Sequence, residues 1–125
     1  MALQSYRDLE VWQKSMDLVE EIYRLTQRLP KAEIFGLTSQ MRRAAVSIPS
    51  NIAEGYGRIH RKEYINHLSI AQGSLQEVET QLQITVRLQY LDREQAKQAW
   101  NQMQDIGKML RRLIASLSAK GDTTG

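Results

Sequence analysis

Residues 61–90 have the sequence RKEYINHLSIAQGSLQEVETQLQITVRLQY, a long stretch without proline. Apolar or small side chains recur in it every three or four residues, at Tyr64, Leu68, Ala71, Leu75, Val78, Leu82 and Thr85. This near-heptad spacing places the set on one face of a helix and is typical of the seam of a helical bundle. The stretch therefore predicts one long helix from about Arg61 to Tyr90.

The chain before this stretch also has helical periodicity. A first helix is predicted from about Asp8 to Leu29, because Pro30 disfavours helical geometry in the residue before it and has no N–H. This helix carries two adjacent apolar stripes, Leu9, Trp12, Met16, Val19 and Tyr23 beside Val11, Leu18, Ile22, Leu25 and Leu29. Such a wide apolar face exceeds what one antiparallel neighbour covers, so we expect an oligomer.

A second helix is predicted from about Gly36 to Gly57. Its apolar positions keep helical spacing and are Leu37, Met41, Ala44, Ala45, Ile48 and Ile52. Pro49 lies inside it, lacks an N–H and crowds the Ala45 carbonyl, which predicts a kink.

A fourth helix is predicted after Asp92, with Gln95 completing a capping box, and it should end near Ser118. Its core face consists of Ala96, Ala99 or Trp100, Met103, Ile106, Leu110, Leu113 and Leu117. Short connections make neighbouring helices antiparallel. We therefore predict an all-α chain, an up-down-up-down four-helix bundle over residues 8–118, with an N-terminal extension at 1–7 and a flexible tail at 119–125.

Composition excludes several classes of site. The 125-residue chain has no cysteine, which excludes disulfides, thiolate metal sites and cysteine nucleophiles. No apolar run approaches ~18 residues, the length that spans a membrane. The first residues lack a basic segment followed by an apolar one, so we expect no secretory signal and a cytoplasmic location.

The net charge of +3 is unevenly distributed. Residues 34–62 contain the basic side chains Arg42, Arg43, Arg58, Arg61 and Lys62 against a single acid, Glu54. Residues 93–125 contain six basic and three acidic side chains. Two basic segments favour an anionic partner, although ordinary solvated helix faces are an equal alternative.

The chain has no recognisable catalytic motif. The stretch from Gly55 to His60 lacks the third glycine and the preceding strand of a dinucleotide fingerprint. The spacing of His60, Glu63 and His67 suits a metal ion in principle, but no fourth ligand is evident. A residue at the helix start, together with a Glu63–His67 surface pair, explains them better. We predict no enzymatic activity, no cofactor, no metal site and no small-molecule substrate.

A polar stripe on the second helix consists of Arg43, Ser47, Asn51 and Glu54. Its spacing of four, four and three places it to one side of the apolar positions. We favour a hydrogen-bonded seam inside the bundle, in which Ser47 and Asn51 bridge the two charged residues. The alternative is the polar lining of a groove or channel.

Four segments carry a family resemblance, and their sequences are LEVWQ at 9–13, PxxExFGLTSQ at 30–40, RRAAVSIPSNIAEG at 42–55 and IAQGS at 70–74 with Glu77 and Glu79. From Tyr6 to Leu117 the chain resembles the bacterial four helix bundle family, which includes proteins encoded in intervening sequences of large-subunit ribosomal RNA genes. It is also similar to accessory proteins of diversity-generating retroelements. Two positions depart from the family pattern, since His60 replaces a usual Ser or Thr that would cap the third helix, and His67 replaces a usual aromatic residue.

The resemblance implies a homopentamer around a central channel, with a basic surface suggested to bind nucleic acid and no enzymatic activity. We therefore predict binding to RNA or DNA, with RNA preferred. The candidate phosphate contacts are Arg42, Arg43, Arg58, Arg61 and Lys62, with Lys108, Arg111 and Arg112 as a second patch. Tyr56 and Tyr64 are candidates for stacking on bases. The alternative function is a scaffold that docks a larger RNA-handling enzyme.

Overall fold

The computed structural model describes the backbone of residues 4–124 and the side chains of residues 4–119. Its four α-helices are α1 (Glu10–Thr26), α2 (Leu37–Tyr56), α3 (Arg61–Arg87) and α4 (Arg93–Thr124). Single 3-10 turns lie at Tyr6–Asp8 and Lys31–Glu33, and the described residues form no strand. Helices α1 and α3 each pack against both α2 and α4. The predicted all-α four-helix bundle is confirmed.

The ends of the helices differ from the prediction at four places, one of which is the end of α3 at Arg87 instead of Tyr90. Helix α1 begins after a separate 3-10 turn, which the Ser5 hydroxyl caps by accepting the Arg7 amide at 3.0 Å. It ends at Thr26 because the Arg28 and Leu29 amides bond three residues back, which tightens the last turn before Pro30. Helix α4 does not end near Ser118 but continues to Thr124, so most of the predicted tail is helical.

One of the two α1 stripes is buried in the core, and Leu9, Trp12 and Val19 of the other pack against it. Leu18, Ile22 and Leu25 are fully buried, together with apolar residues from α2, α3 and α4. The other stripe stays partly open, with Met16 42% and Tyr23 40% exposed. A single bundle therefore leaves part of the wide α1 face uncovered, as its sequence predicts.

Pro49 lies within α2 and is buried. The helix continues through it from Leu37 to Tyr56, so the proline does not end the helix. The kink at this position stays a prediction.

Glu33 organises the connection between α1 and α2. One carboxylate oxygen accepts the Leu37 amide at 3.1 Å and caps α2, while the other accepts the Tyr90 hydroxyl at 3.0 Å. This hydrogen bond raises the pKa of Tyr90 above its ordinary value. A Cβ on Gly36 would lie 2.6 Å from a Glu33 carboxylate oxygen, so a glycine fits where a larger residue would displace the cap.

The turn between α3 and α4 contains one feature that ends α3 and one that begins α4. Gln89 adopts a left-handed conformation with φ of 64°, and the Tyr90 amide donates to the Thr85 carbonyl at 2.9 Å. The predicted capping box is confirmed, because the Gln95 amide donates to the Asp92 carboxylate at 2.8 Å and the Asp92 amide donates to the Gln95 side chain at 2.9 Å. Both features turn the chain sharply and fix the start of α4.

Candidate nucleic-acid interface

Residues 58–62 join the connection after α2 to the first residues of α3, and we call this mostly exposed segment the basic turn. Arg58 and Lys62 are exposed, Arg61 is half-buried, and Ile59 is 94% exposed. Arg58 forms an ion pair with Glu54 at 2.9 Å, and both side chains are in contact with solvent. A surface pair of this kind contributes little to stability, so Arg58 can exchange the carboxylate for a phosphate at small cost.

Lys108, Arg111 and Arg112 form a second cluster, which we call the α4 patch. All three are exposed on one side of the helix, and within the described residues none lies within 4.0 Å of a carboxylate oxygen. Arg111 acts electrostatically on Glu79, but burial dominates there and raises the pKa of Glu79. The patch is therefore a set of solvated cations available to an anion.

The structure does not bring the basic turn and the α4 patch together. A Cβ on Gly107 would lie 3.5 Å from a Leu75 methyl group, so this part of α4 is level with the middle of α3. Arg61 begins α3 about 21 Å away along the helix axis, at ~1.5 Å per residue. The two clusters are separate surfaces on one protomer.

Arg42 is engaged elsewhere. Its Nε donates to the Thr26 hydroxyl at 2.9 Å, and its guanidinium lies 4.5 Å from the centre of the Tyr23 ring. The side chain is half-buried. Arg42 therefore contributes to the contact between α1 and α2, and its role as a phosphate contact stays a prediction.

The predicted polar seam exists only in its middle part. Ser47 and Ser74 hydroxyls lie 2.8 Å apart, and the Asn51 amide donates to the Ser47 carbonyl at 2.9 Å and hydroxyl at 3.0 Å. The Asn51 oxygen lies 3.2 Å from His67 Nδ1. We call these four half-buried residues the α2–α3 polar network.

The prediction was wrong for the two charged residues of the seam. Arg43 is exposed, and Glu54 is exposed in its pair with Arg58. The reason is that these two charged side chains are long enough to extend past the helix contact and reach solvent. The periodicity of α2 also could not show that Ser74 and His67 of α3 complete the network.

Gly55 allows α2 and α3 to approach closely beside the basic turn. A Cβ at this position would lie 2.7 Å from the His67 Cβ and 3.1 Å from the Tyr64 ring. Next to it, the Tyr56 and Tyr64 rings pack edge to face with their centres 6.0 Å apart. Tyr64 is thus a packing residue, and half-buried Tyr56 is the tyrosine adjacent to the basic turn.

Burial, with a smaller contribution from Tyr56, raises the pKa of Tyr64 to about 12 from 10.0. Because the folded state favours the neutral phenol, this stabilisation is complete below pH 10 and is lost as the pH rises to about 12. Ultraviolet titration of the protein should therefore show a tyrosine that ionises near pH 12, and Tyr64→Phe should remove that transition. A Tyr64→Phe titration identical in shape to that of the parent would contradict the assignment.

The histidines take separate roles. His60 is the N-cap residue of α3 without a side-chain capping bond, whereas a Ser or Thr could supply one. The expected Glu63–His67 pair was wrong, because the His67 ring lies against Asn51. The described residues contain no cluster of three or more metal-ligating side chains.

No helix in the described part of the chain is long and apolar enough to cross a membrane. Its four packed helices and separate basic clusters define a small all-α bundle protein with a candidate anion-binding surface.

Comparison with known proteins places this bundle in a family. The sequence profile of the 23S rRNA-intervening sequence protein family matches residues 7–112, and the chain belongs to that family. A crystal structure of a protein of unknown function from the S23 ribosomal protein family of Bacteroides thetaiotaomicron VPI-5482 is similar to it. That similarity has a TM-score of 0.78 and 31% identity, and it covers 83% of this chain and 97% of the other. None of the curated proteins matches the chain.

Proposed function

We propose that this protein is a non-enzymatic, oligomeric nucleic-acid-binding protein whose preferred ligand is RNA. The α4 patch is the observation that carries the proposal, because it presents three neighbouring exposed cations outside any ion pair in the described part of the chain. Cations of this kind neutralise phosphates and release condensed counterions. The basic turn supplies a second set of contacts, with Tyr56 beside it.

Assembly would multiply these contacts. The exposed Met16 and Tyr23 leave apolar surface for a second copy, and the family resemblance suggests five copies. Five chains of net charge +3 would carry about +15. Repeated clusters engage one strand together, so weak contacts in each protomer add up through avidity.

The test measures binding of a fluorescent single-stranded RNA by anisotropy over a range of salt concentrations. One variant carries Lys108→Gln, Arg111→Gln and Arg112→Gln, and a second carries Arg58→Gln, Arg61→Gln and Lys62→Gln. Each phosphate contact contributes about −0.7 to the slope of log affinity against log salt on a single strand. We therefore expect each triple variant to reduce the magnitude of this slope by about 2 for every protomer that contacts the RNA.

The matched control changes the same amount of charge at Arg7, Arg28 and Lys31, which are exposed outside both clusters. It should keep the parent slope. Equal losses in the control and in the two triple variants would show that only overall charge matters. If the parent binds no RNA at low salt but still assembles, the proposal fails. The alternative, a scaffold that docks a larger RNA-handling enzyme, is then favoured. The exposed Phe35 is the first candidate for contact with that enzyme.

A further inference from the structure

A groove of about 570 Å³ lies where the end of α3 meets the first turns of α4, outside both basic clusters. Its floor is apolar and is formed by Leu82, Val86 and Ala96. Trp100 lines the same groove and is 36% exposed. The volume is within the range of sites that bind small ligands, about 300–1,000 Å³.

Three cations surround this groove. They are Arg87 from the last turn of α3 and Arg93 and Lys97 from the first turns of α4, and all three are exposed. Within the described residues none of them lies within 4.0 Å of a carboxylate oxygen. Glu94 is the one acidic side chain of the lining, so the groove has a local net charge of about +2.

We propose that this groove binds single-stranded nucleic acid, with one base stacked on Trp100 and the adjacent phosphates held by Arg87, Arg93 and Lys97. An accessible indole supplies the flat surface on which any base can stack, and a surrounding positive charge follows the backbone. The exposed Gln83 amide, which also lines the groove, offers both a donor and an acceptor to a base edge. The inference rests on the proposed function, and it adds the site and the single-stranded form of the ligand.

An acidic peptide is the other partner that the charge would attract. A peptide carboxylate would use the cations but not the open indole surface, whereas a nucleotide uses both. These features favour a nucleic-acid strand.

The two tryptophans, Trp12 and Trp100, make a direct test possible. In the full chain with Trp12→Phe, the remaining fluorescence comes from Trp100, and an oligouridylate of about a dozen nucleotides should quench it. The matched Trp100→Phe chain retains Trp12 and should show no quenching. Trp100→Ala should weaken single-strand binding roughly 5- to 150-fold and leave binding to a duplex of equal length unchanged.

Each of Arg87→Gln, Arg93→Gln and Lys97→Gln should flatten the salt slope by about 0.7. If the parent binds RNA while Trp100 is not quenched and Trp100→Ala binds normally, the groove assignment is overturned but the proposed function stands. Absence of RNA binding by the parent overturns both. Equal quenching of Trp100 by polyglutamate also overturns the groove assignment and indicates that an acidic peptide binds there. A changed mass of Trp100→Ala in light scattering overturns it too and indicates that a second copy of the chain covers the groove.

Discussion

Gly55→Ala should destabilise the bundle by about 1–3 kcal/mol, the usual cost of forcing an extra methyl group into a packed interface. The new Cβ would lie 2.7 Å from the His67 Cβ and 3.3 Å from the Tyr64 carbonyl oxygen. Neither atom is the end of a flexible side chain, so α2 and α3 must separate to admit the methyl group. Urea unfolding followed by circular dichroism measures the loss.

Gly73→Ala is the matched control. Gly73 lies inside α3, and a Cβ there meets nothing within 4 Å. Alanine should therefore increase the free energy of unfolding by about 0.5–1 kcal/mol, since it restricts the unfolded chain and favours the helix. A stabilising change in both variants would mean that helix propensity, rather than close approach, determines the effect at Gly55.

Asn51→Ala should reduce the free energy of unfolding by about 1–3 kcal/mol. The substitution leaves polar groups of Ser47 and His67 without their hydrogen-bond partner at half-buried positions. The Asn51 amide donates twice to Ser47, and its oxygen lies against the His67 ring. Asn66→Ala is the control, since Asn66 is exposed on α3 and has the same side chain. Thermal and urea unfolding of both variants compare the two sites directly.

A double-mutant cycle tests whether the α2–α3 polar network acts as a unit. The cycle uses Asn51→Ala and Ser74→Ala. These two residues are not bonded to each other, but both are hydrogen-bonded to the Ser47 hydroxyl. The loss in the double variant should be smaller than the sum of the two single losses, because either change already disrupts the chain of hydrogen bonds. Strict additivity would show independent local contacts instead.

The four helices could be predicted because their core residues repeat along the chain itself. The Arg61 start of α3 and the Asp92–Gln95 box followed from local spacing and capping chemistry. Partners on other helices could not be predicted in this way. Helical period alone could not separate Arg42, which crosses to Thr26, from its neighbour Arg43, which is exposed.

The same limit applies to the candidate sites. The basic turn is contiguous in sequence, and its charge was visible directly. The Trp100 groove combines the end of one helix with the beginning of the next, and the α4 pattern left the core position open between Ala99 and Trp100. The structure buries Ala99 completely and leaves Trp100 partly exposed. The packing of α4 against α1 and α3 determines which of the two residues is buried.

The carboxylate of Glu33 also has a consequence for local unfolding. It joins the amide that starts α2 to the Tyr90 hydroxyl beyond the end of α3, so it links the α1–α2 hairpin to the α3–α4 hairpin. We expect fraying at this end of the bundle to break both bonds together. The Leu37 amide should therefore exchange its hydrogen in the same cooperative opening as the turn at Tyr90, and Tyr90→Phe should speed exchange at Leu37 although the two residues are far apart in the sequence.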